Sequence, residues 1–324
     1  MSASKNVNGA WGALLTRRQG LRHVAVGLVM GATAPFALAQ AQVPGRAPQG
    51  RPEQSASLGK PSVRLISLSG GMTEVVYRLG LQRLLVGTDT TSIFPAEAMN
   101  TPKVGYMRTL SAEGVLSLKP SAVLGTHEVG PPQVLAQLRD AGVAIRLVRS
   151  DHSFEEVLAK VTAVAEVTGH EQAGMALIQE LALQWQQTSR RLAAAQAARP
   201  GRKPRAMFVM GNGGKLMAAG QGTAAHAMLA YAGADNALAQ MQGYKSLSSE
   251  AMVAAQPDII VSTSETLQAQ GGAEHFWQQG GLSLTPAGRR QQLVSMDTLY
   301  LLGFGTRLPQ AVESLARALG TLPA

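Results

Sequence analysis

Cysteine is absent from all 324 residues, and its absence removes several kinds of chemistry at once. The chain can hold no disulfide framework, no zinc–thiolate site and no thiol nucleophile, and it has no cysteine to carry a lipid. Histidines at metal-binding spacing are missing as well: His127, His152, His170, His226 and His275 fall apart from one another, which leaves a bare-metal site unsupported. Arginine runs interleaved with aromatics, the mark of a nucleic-acid groove, do not occur, so no nucleic-acid partner is expected. No catalytic phrase survives inspection. GNGGKL at residues 211–216 lacks the dinucleotide spacing, SLSGG at 67–71 is not a nucleophile elbow, and there is no phosphate-binding loop.

Long apolar runs are scarce too. Residues 24–38 (VAVGLVMGATAPFAL) are interrupted by Gly27, Gly31 and Pro35 and fall short of the roughly 20 residues that cross a bilayer. With Arg17, Arg18 and Arg22 before the run and Ala37-Leu38-Ala39 closing it, residues 1–39 read as an export signal cleaved after Ala39. The paired arginines in TRRQGLR fit twin-arginine export and equally an ordinary secretory leader. The mature protein is expected free in a periplasm, with no lipid anchor. The four bases of that leader count toward the formal charge of +9, so 25 of the 29 bases remain against 20 acids. A mildly basic exported protein attracts small anionic cargo.

Residues 40–60, rich in Gln, Pro, Gly and Ser, are expected to form a disordered leader. From residue 61 short apolar runs (VRLISL, SAVLG, VAIRLV) alternate with helical patterns (MTEVVYRLG, PPQVLAQLRDAG), which implies a largely parallel sheet in an α/β lobe spanning 61–168. Ser153 and Glu156 spell a capping box ahead of a helix that ends at Gly169. A second helix is expected from about His170 to Ala198, with Met175, Ile178, Leu181, Trp185 and Leu192 on one stripe; residues 169–200 are thus a rigid spine about 40 Å long. After residue 201 the alternation resumes, with AMFVM and PDIIVS as strands and Asn212-Gly213 as a hairpin turn. The fold class is α/β: two lobes, 61–168 and 201–324, with mainly parallel sheets joined by a long rigid helix.

One phrase occurs twice. VGYMRTLSAEG at residues 104–114 is echoed by GYKSLSSE at 243–250, and each glutamate, Glu113 and Glu250, is followed seven residues later by a proline and then an apolar run. Each therefore opens a short helix leading into a strand, at a similar corner of its lobe. A carboxylate there is favoured by the helix dipole whatever else it does.

The segments RLISLSGGMTEVVYRLG, VGYMRTLSAEGVLSLKP, GPPQVLAQLRDAGV, GYKSLSSEAM and YLLGFGTRLPQA resemble the periplasmic haemin-binding proteins of bacterial ABC haem importers, within the wider siderophore- and cobalamin-binding group. That resemblance implies the class III periplasmic binding protein architecture, an interlobe cleft for ferric haem, and delivery to an inner-membrane ABC permease dimer with its ATPase. It implies that Glu113 and Glu250 dock on that permease and that Tyr106 is the haem iron ligand. A phenolate is a hard anionic oxygen suited to Fe(III), though a free phenol ionises only near pH 10. Arg108, two residues on and on the same side of an extended segment, is expected to stabilise it, and Gly105 lets the backbone approach a flat macrocycle.

Further cleft contacts expected on that resemblance are Met107 and Met217 on the porphyrin face, Tyr244 as a wall of the second lobe, and Lys245, Arg108 or Arg307 for the propionates. His127 and His226 are further candidates for a haem contact. Two alternatives stand beside a haem carrier: a ferric siderophore or cobalamin carrier on the same scaffold, and a haem-processing or iron-dependent enzyme.

Overall fold

The run LISL forms strand β1 (Leu65–Leu68), and all four of its residues are buried, as expected of a parallel strand covered on both faces. A computed structural model describes residues 63–199, 201–212 and 215–323, all within one compact unit, Leu58–Ala324. The export signal and the leader read into residues 1–39 and 40–60 lie outside the described residues.

After β1 come helix α1 (Gly70–Arg78), β2 (Leu85–Thr88), α2 (Ala112–Leu116), β3 (Ala122–Thr126), α3 (Pro132–Asp140) and β4 (Ala144–Val148). The four strands form one sheet in the order β2-β1-β3-β4, every pair parallel, with Leu65 opposite both Leu85 and Ala122. Alternation along the strands feeds two cores. Leu65, Leu124 and Val148 pack with Val75 of α1, and Ile66, Leu68 and Val123 pack with Val115 of α2 and Leu138 of α3.

Helix α4 (Phe154–Thr168) begins at the expected serine, whose hydroxyl accepts from Glu156 N, and ends at Gly169 with φ +70°. The Glu156 carboxylate reaches back to the N–H groups of Asp151 and His152, at 3.0 and 2.8 Å. Helix α5 (Glu171–Ala198) runs 28 residues, about 42 Å at 1.5 Å per residue. It touches both lobes. Trp185 stacks on Phe154 of α4 at 5.0 Å and meets the Tyr231 ring edge-on at 4.9 Å. Met175, expected on the buried stripe, is instead 58% exposed. Gly174 takes that place, since a Cβ there would lie 2.5 Å from the Ala165 Cβ, closer than any side chain allows.

The second lobe contains β5 (Arg205–Asn212), β6 (Lys215–Ala219), α6 (Ala224–Tyr231), β7 (Asp235–Asn236), β8 (Tyr244–Ser246), α7 (Ser249–Ala254) and β9 (Ile259–Thr263). Then follow α8 (Ser264–Ala269), α9 (Ala273–Trp277), α10 (Pro286–Arg289), β10 (Leu293–Met296), α11 (Thr298–Leu302) and α12 (Leu308–Ala318). Its sheet is mixed. In the order β10-β9-β5-β6-β8 the first three strands are parallel, while β6 runs antiparallel to β5 and to β8. Asn212 remains in the strand opposite Lys215; the rest of the turn expected at Asn212-Gly213 lies outside the described residues.

One apolar core runs through both lobes, joining Leu65 and Val157 to Phe208 and Val312, and polar contacts cross between the lobes beside it. Glu74 of α1, with a side chain 3% exposed, accepts from Thr306 Oγ1, Arg307 N and Arg307 Nε at 2.7, 2.9 and 3.0 Å. Lys160 of α4 pairs with Glu156 at 2.7 Å and donates to the Phe304 carbonyl at 2.9 Å. Glycines permit this approach: a Cβ on Gly71 would lie 2.3 Å from the Gly303 carbonyl oxygen.

Candidate functional site

The loop after β2 is built on buried polar groups. Asp89, wholly buried, accepts from Thr91 Oγ1 and Ser92 Oγ at 2.7 and 2.8 Å. Burial raises its carboxyl pKa above the ordinary value, against the hydrogen bonds of Thr91 and Ser92 and the charge of Lys103, which pull it down. Lys103 donates to Thr88 Oγ1 and to the Ser92 and Ala98 carbonyls at 2.8, 2.7 and 3.0 Å. On this platform Thr90 N bonds the Gly105 carbonyl at 3.0 Å, and Gly105 itself has φ +101° with nothing near its missing Cβ.

That conformation delivers Tyr106, 38% exposed, to the surface. The chain then turns instead of staying extended, with Thr109 N bonded to the Tyr106 carbonyl at 2.9 Å. The turn still brings the two expected side chains together. Arg108 Nη1 donates to Tyr106 Oη at 2.7 Å, while its Nη2 pairs with Glu128 Oε1 at 2.5 Å. Burial pushes the Arg108 pKa down, but the charge and hydrogen bond of Glu128, then those of Tyr106, outweigh it and hold the group above its ordinary value. The turn also corrects the expectation for Met107, which is 7% exposed and packs in the first-lobe core with Val104 and Leu110. Its carbonyl accepts from Gly130 N at 3.0 Å, and Leu110 N reaches the Gly130 carbonyl at 3.1 Å, so the loops at 106–110 and 127–130 are tied together. His127, in that second loop, is exposed.

Tyr244 of the second lobe is within electrostatic reach of this corner. Burial raises its phenol pKa; the Ala225 N–H, the Thr223 hydroxyl and the charge of Arg108 lower it, and Glu128 adds to the rise. Met217 shares its face of the sheet: Met217 pairs with Ser246 and Ala219 with Tyr244, and residues two apart lie on one side. Lys245 does not. It pairs with Ala218, placing it on the opposite face of β8 from Tyr244. His226 is also turned elsewhere, its Nδ1 lying 3.2 Å from Asn236 Nδ2 beside a hollow of about 360 Å³ lined by Arg205 and Asp235. Arg307 is committed to Glu74 and lies 3.4 Å from the Phe94 ring centroid. A larger hollow of about 520 Å³, lined by Trp185, Leu192 and Tyr231, includes none of the haem, propionate or docking residues expected from the sequence.

Glu113 and Glu250 stand in equivalent surroundings. Each is exposed in the first turn of a short helix, α2 or α7, whose N-cap is a serine two residues earlier. Ser111 Oγ accepts from Gly114 N at 3.1 Å and Ser248 Oγ from Ala251 N at 3.2 Å. Each helix gives way to a left-handed residue, Lys119 (φ +48°) or Gln256 (φ +45°), directly before the proline that leads into β3 or β9. Its own backbone N–H and the Ser248 hydroxyl hold the Glu250 carboxyl below its ordinary pKa.

Residues 65–299 match the periplasmic binding protein family. The chain belongs to that family. Among solved structures it is similar to the periplasmic haem-binding protein BhuT in complex with two haems, with 43% identity over 79% of this chain and 97% of that one and a TM-score of 0.73. It is similar also to the apo form of the haem-binding protein RhuT from Roseiflexus sp. RS-1, with 36% identity over 80% and 98% of the two chains and the same TM-score. Among relatives, the vitamin B12-binding protein of Vibrio cholerae is 26% identical over 67% of this chain and 76% of its own.

Glu128 of this periplasmic binding protein escaped the sequence reading, although a signal for it exists. It lies 15 residues after Glu113, as Glu265 lies 15 after Glu250, so the repeat that identified one glutamate pair contains a second. The two have diverged: Glu128 holds Arg108, whereas Glu265 accepts from Thr298 N at 3.1 Å and from the Thr298 hydroxyl.

Proposed function

We propose that this periplasmic binding protein carries ferric haem, bound between its lobes through the Tyr106 oxygen, and delivers it to an ABC permease dimer docked on Glu113 and Glu250. The observation that carries the proposal is an exposed phenol whose oxygen receives a hydrogen bond from a guanidinium at 2.7 Å. Guanidinium is a donor only and favours an oxygen that bears negative charge. An anionic oxygen is in turn a hard ligand suited to oxidised haem iron. Tyr244 and Met217, on one face of the second lobe's sheet, would wall the opposite side, where a soft thioether suits a flat apolar ring. Similarity to two haem-binding proteins supports the choice of cargo.

We read the chain as a carrier rather than an enzyme because its family is one of binding proteins. Residues 1–39 would direct it to the periplasm, where it works without a lipid anchor, since it has no cysteine to carry one. Similarity to a vitamin B12-binding protein favours cobalamin as the second reading, and the same experiment decides between them. Haemin titrated into the purified protein is expected to give a shifted Soret band and a phenolate-to-iron charge-transfer band, both lost in Tyr106→Ala. Tighter binding of cobalamin than of haemin, or bands that persist in the variant, would refute the proposal.

A further inference from the structure

We propose that Glu128 is a positioning residue for haem ligation: its ion pair holds the Arg108 guanidinium on the Tyr106 oxygen and prevents that cation from turning to a haem propionate. The inference rests on the haem-carrier proposal and adds to it a residue, Glu128, and a commitment for Arg108.

Arg108 is clamped at both ends of its fork, 2.7 Å from the phenol oxygen and 2.5 Å from the Glu128 carboxylate. Its side chain is half exposed and long, so the phenol bond alone would leave it several rotamers. Glu128 removes that freedom because its own backbone is fixed: the 127–130 loop is bonded to the 106–110 loop at both Met107 and Leu110. Distance between the loops is therefore set by main chain, and the carboxylate meets the guanidinium without either loop having to move.

Charge points the same way. Arg108 and Glu128 act on Tyr244 in opposite senses, so the facing lobe meets a compensated pair and not a bare cation. A propionate approaching Arg108 would come up against the carboxylate already there, and like charges at such range repel. Of the three cations expected as propionate partners, Arg108 is thereby assigned to the ligand oxygen. Glu265, the counterpart in the second lobe, bonds Thr298 instead, so the arrangement belongs to the first lobe.

The test uses haemin-loaded wild type, Glu128→Gln, Arg108→Ala and the double variant, each checked for an unchanged melting profile. Two signals are read: the phenolate-to-iron charge-transfer band and the iron–phenolate stretch in resonance Raman spectra. Glu128→Gln is expected to move both in the direction of Arg108→Ala and by most of its displacement, with haem dissociation several-fold faster. Adding Glu128→Gln to Arg108→Ala is expected to move neither signal further, because the glutamate acts only through the arginine. The proposal is overturned if Glu128→Gln matches wild type, if Arg108→Ala leaves the bands unmoved, or if the glutamate change adds its own displacement in the double variant. Wild type without phenolate bands would overturn the haem proposal itself, which keeps the two failures apart.

Discussion

At Gly105 the backbone occupies the left-handed region with open space where a Cβ would stand, so an alanine there meets strain without any clash. We expect Gly105→Ala to lower stability by about 1–2 kcal/mol and to weaken haem binding by misplacing the adjacent phenol, as urea melts and haemin titration will measure. That Arg108 would reach Tyr106 was legible in the sequence because the two lie only two residues apart. Met107 was expected on the porphyrin face because it is soft, apolar and beside Tyr106; its side chain instead packs in the core with Val104 and Leu110, whereas Tyr106 and Arg108 on either side are exposed. Lys245 lies on the opposite face of β8 from Tyr244, as alternation along a strand requires. The Arg108–Glu128 pair joins residues 20 apart, and only the 15-residue spacing shared with Glu265 could have pointed to it.

Helix α5 was legible nearly to the residue, starting at Glu171 and ending at Ala198, because its caps and punctuation are local signals. Which face it buries was less so. Gly174 has no side chain to announce itself, yet α4 comes so near there that a Cβ would lie 2.5 Å from the Ala165 Cβ. At its other half α5 is fastened to α12 by Glu313, which accepts from Thr188 Oγ1 at 2.8 Å and from Arg191 and Arg317 at 3.1 and 2.9 Å. Burial raises the Glu313 pKa, but these partners outweigh it and hold the carboxyl below its ordinary value. A depressed carboxyl pKa stabilises the fold above the unfolded value, and that contribution is lost as pH falls through the folded one. Glu313→Gln should therefore cost about 1 kcal/mol at neutral pH, and the gap to wild type should narrow as pH falls through the folded pKa, as urea melts at neutral and acid pH will show. The paired helices α2 and α7 yield a separate expectation: Glu113→Ala with Glu250→Ala leaves haem affinity unchanged and abolishes uptake in cells. Normal uptake by that double variant would remove the docking proposal.

Taken whole, the molecule depends on a seam that was not legible, because its contacts join residues as far apart as Glu74 and Arg307. The α/β class and two lobes followed from runs and punctuation, but antiparallel β6 and β8 set a mixed pattern in the second sheet. Lys160 is 1% exposed, and its removal strands the Glu156 carboxylate in the interior. Lys160→Ala is expected to lose about 3–5 kcal/mol, read from the urea midpoint. The Glu74–Arg307 pair, the Lys160 bond to the Phe304 carbonyl and the close approach at Gly71 also leave little room for the lobes to rotate, so small-angle scattering should give the same radius of gyration with and without haemin. On the docking proposal, a carrier without cargo would offer the transporter the same two carboxylates, equally spaced, as a laden one. Vacant molecules would then compete for the docking face on equal terms, and the cell's uptake rate would depend on the ratio of laden to vacant carriers as well as on the amount of haem.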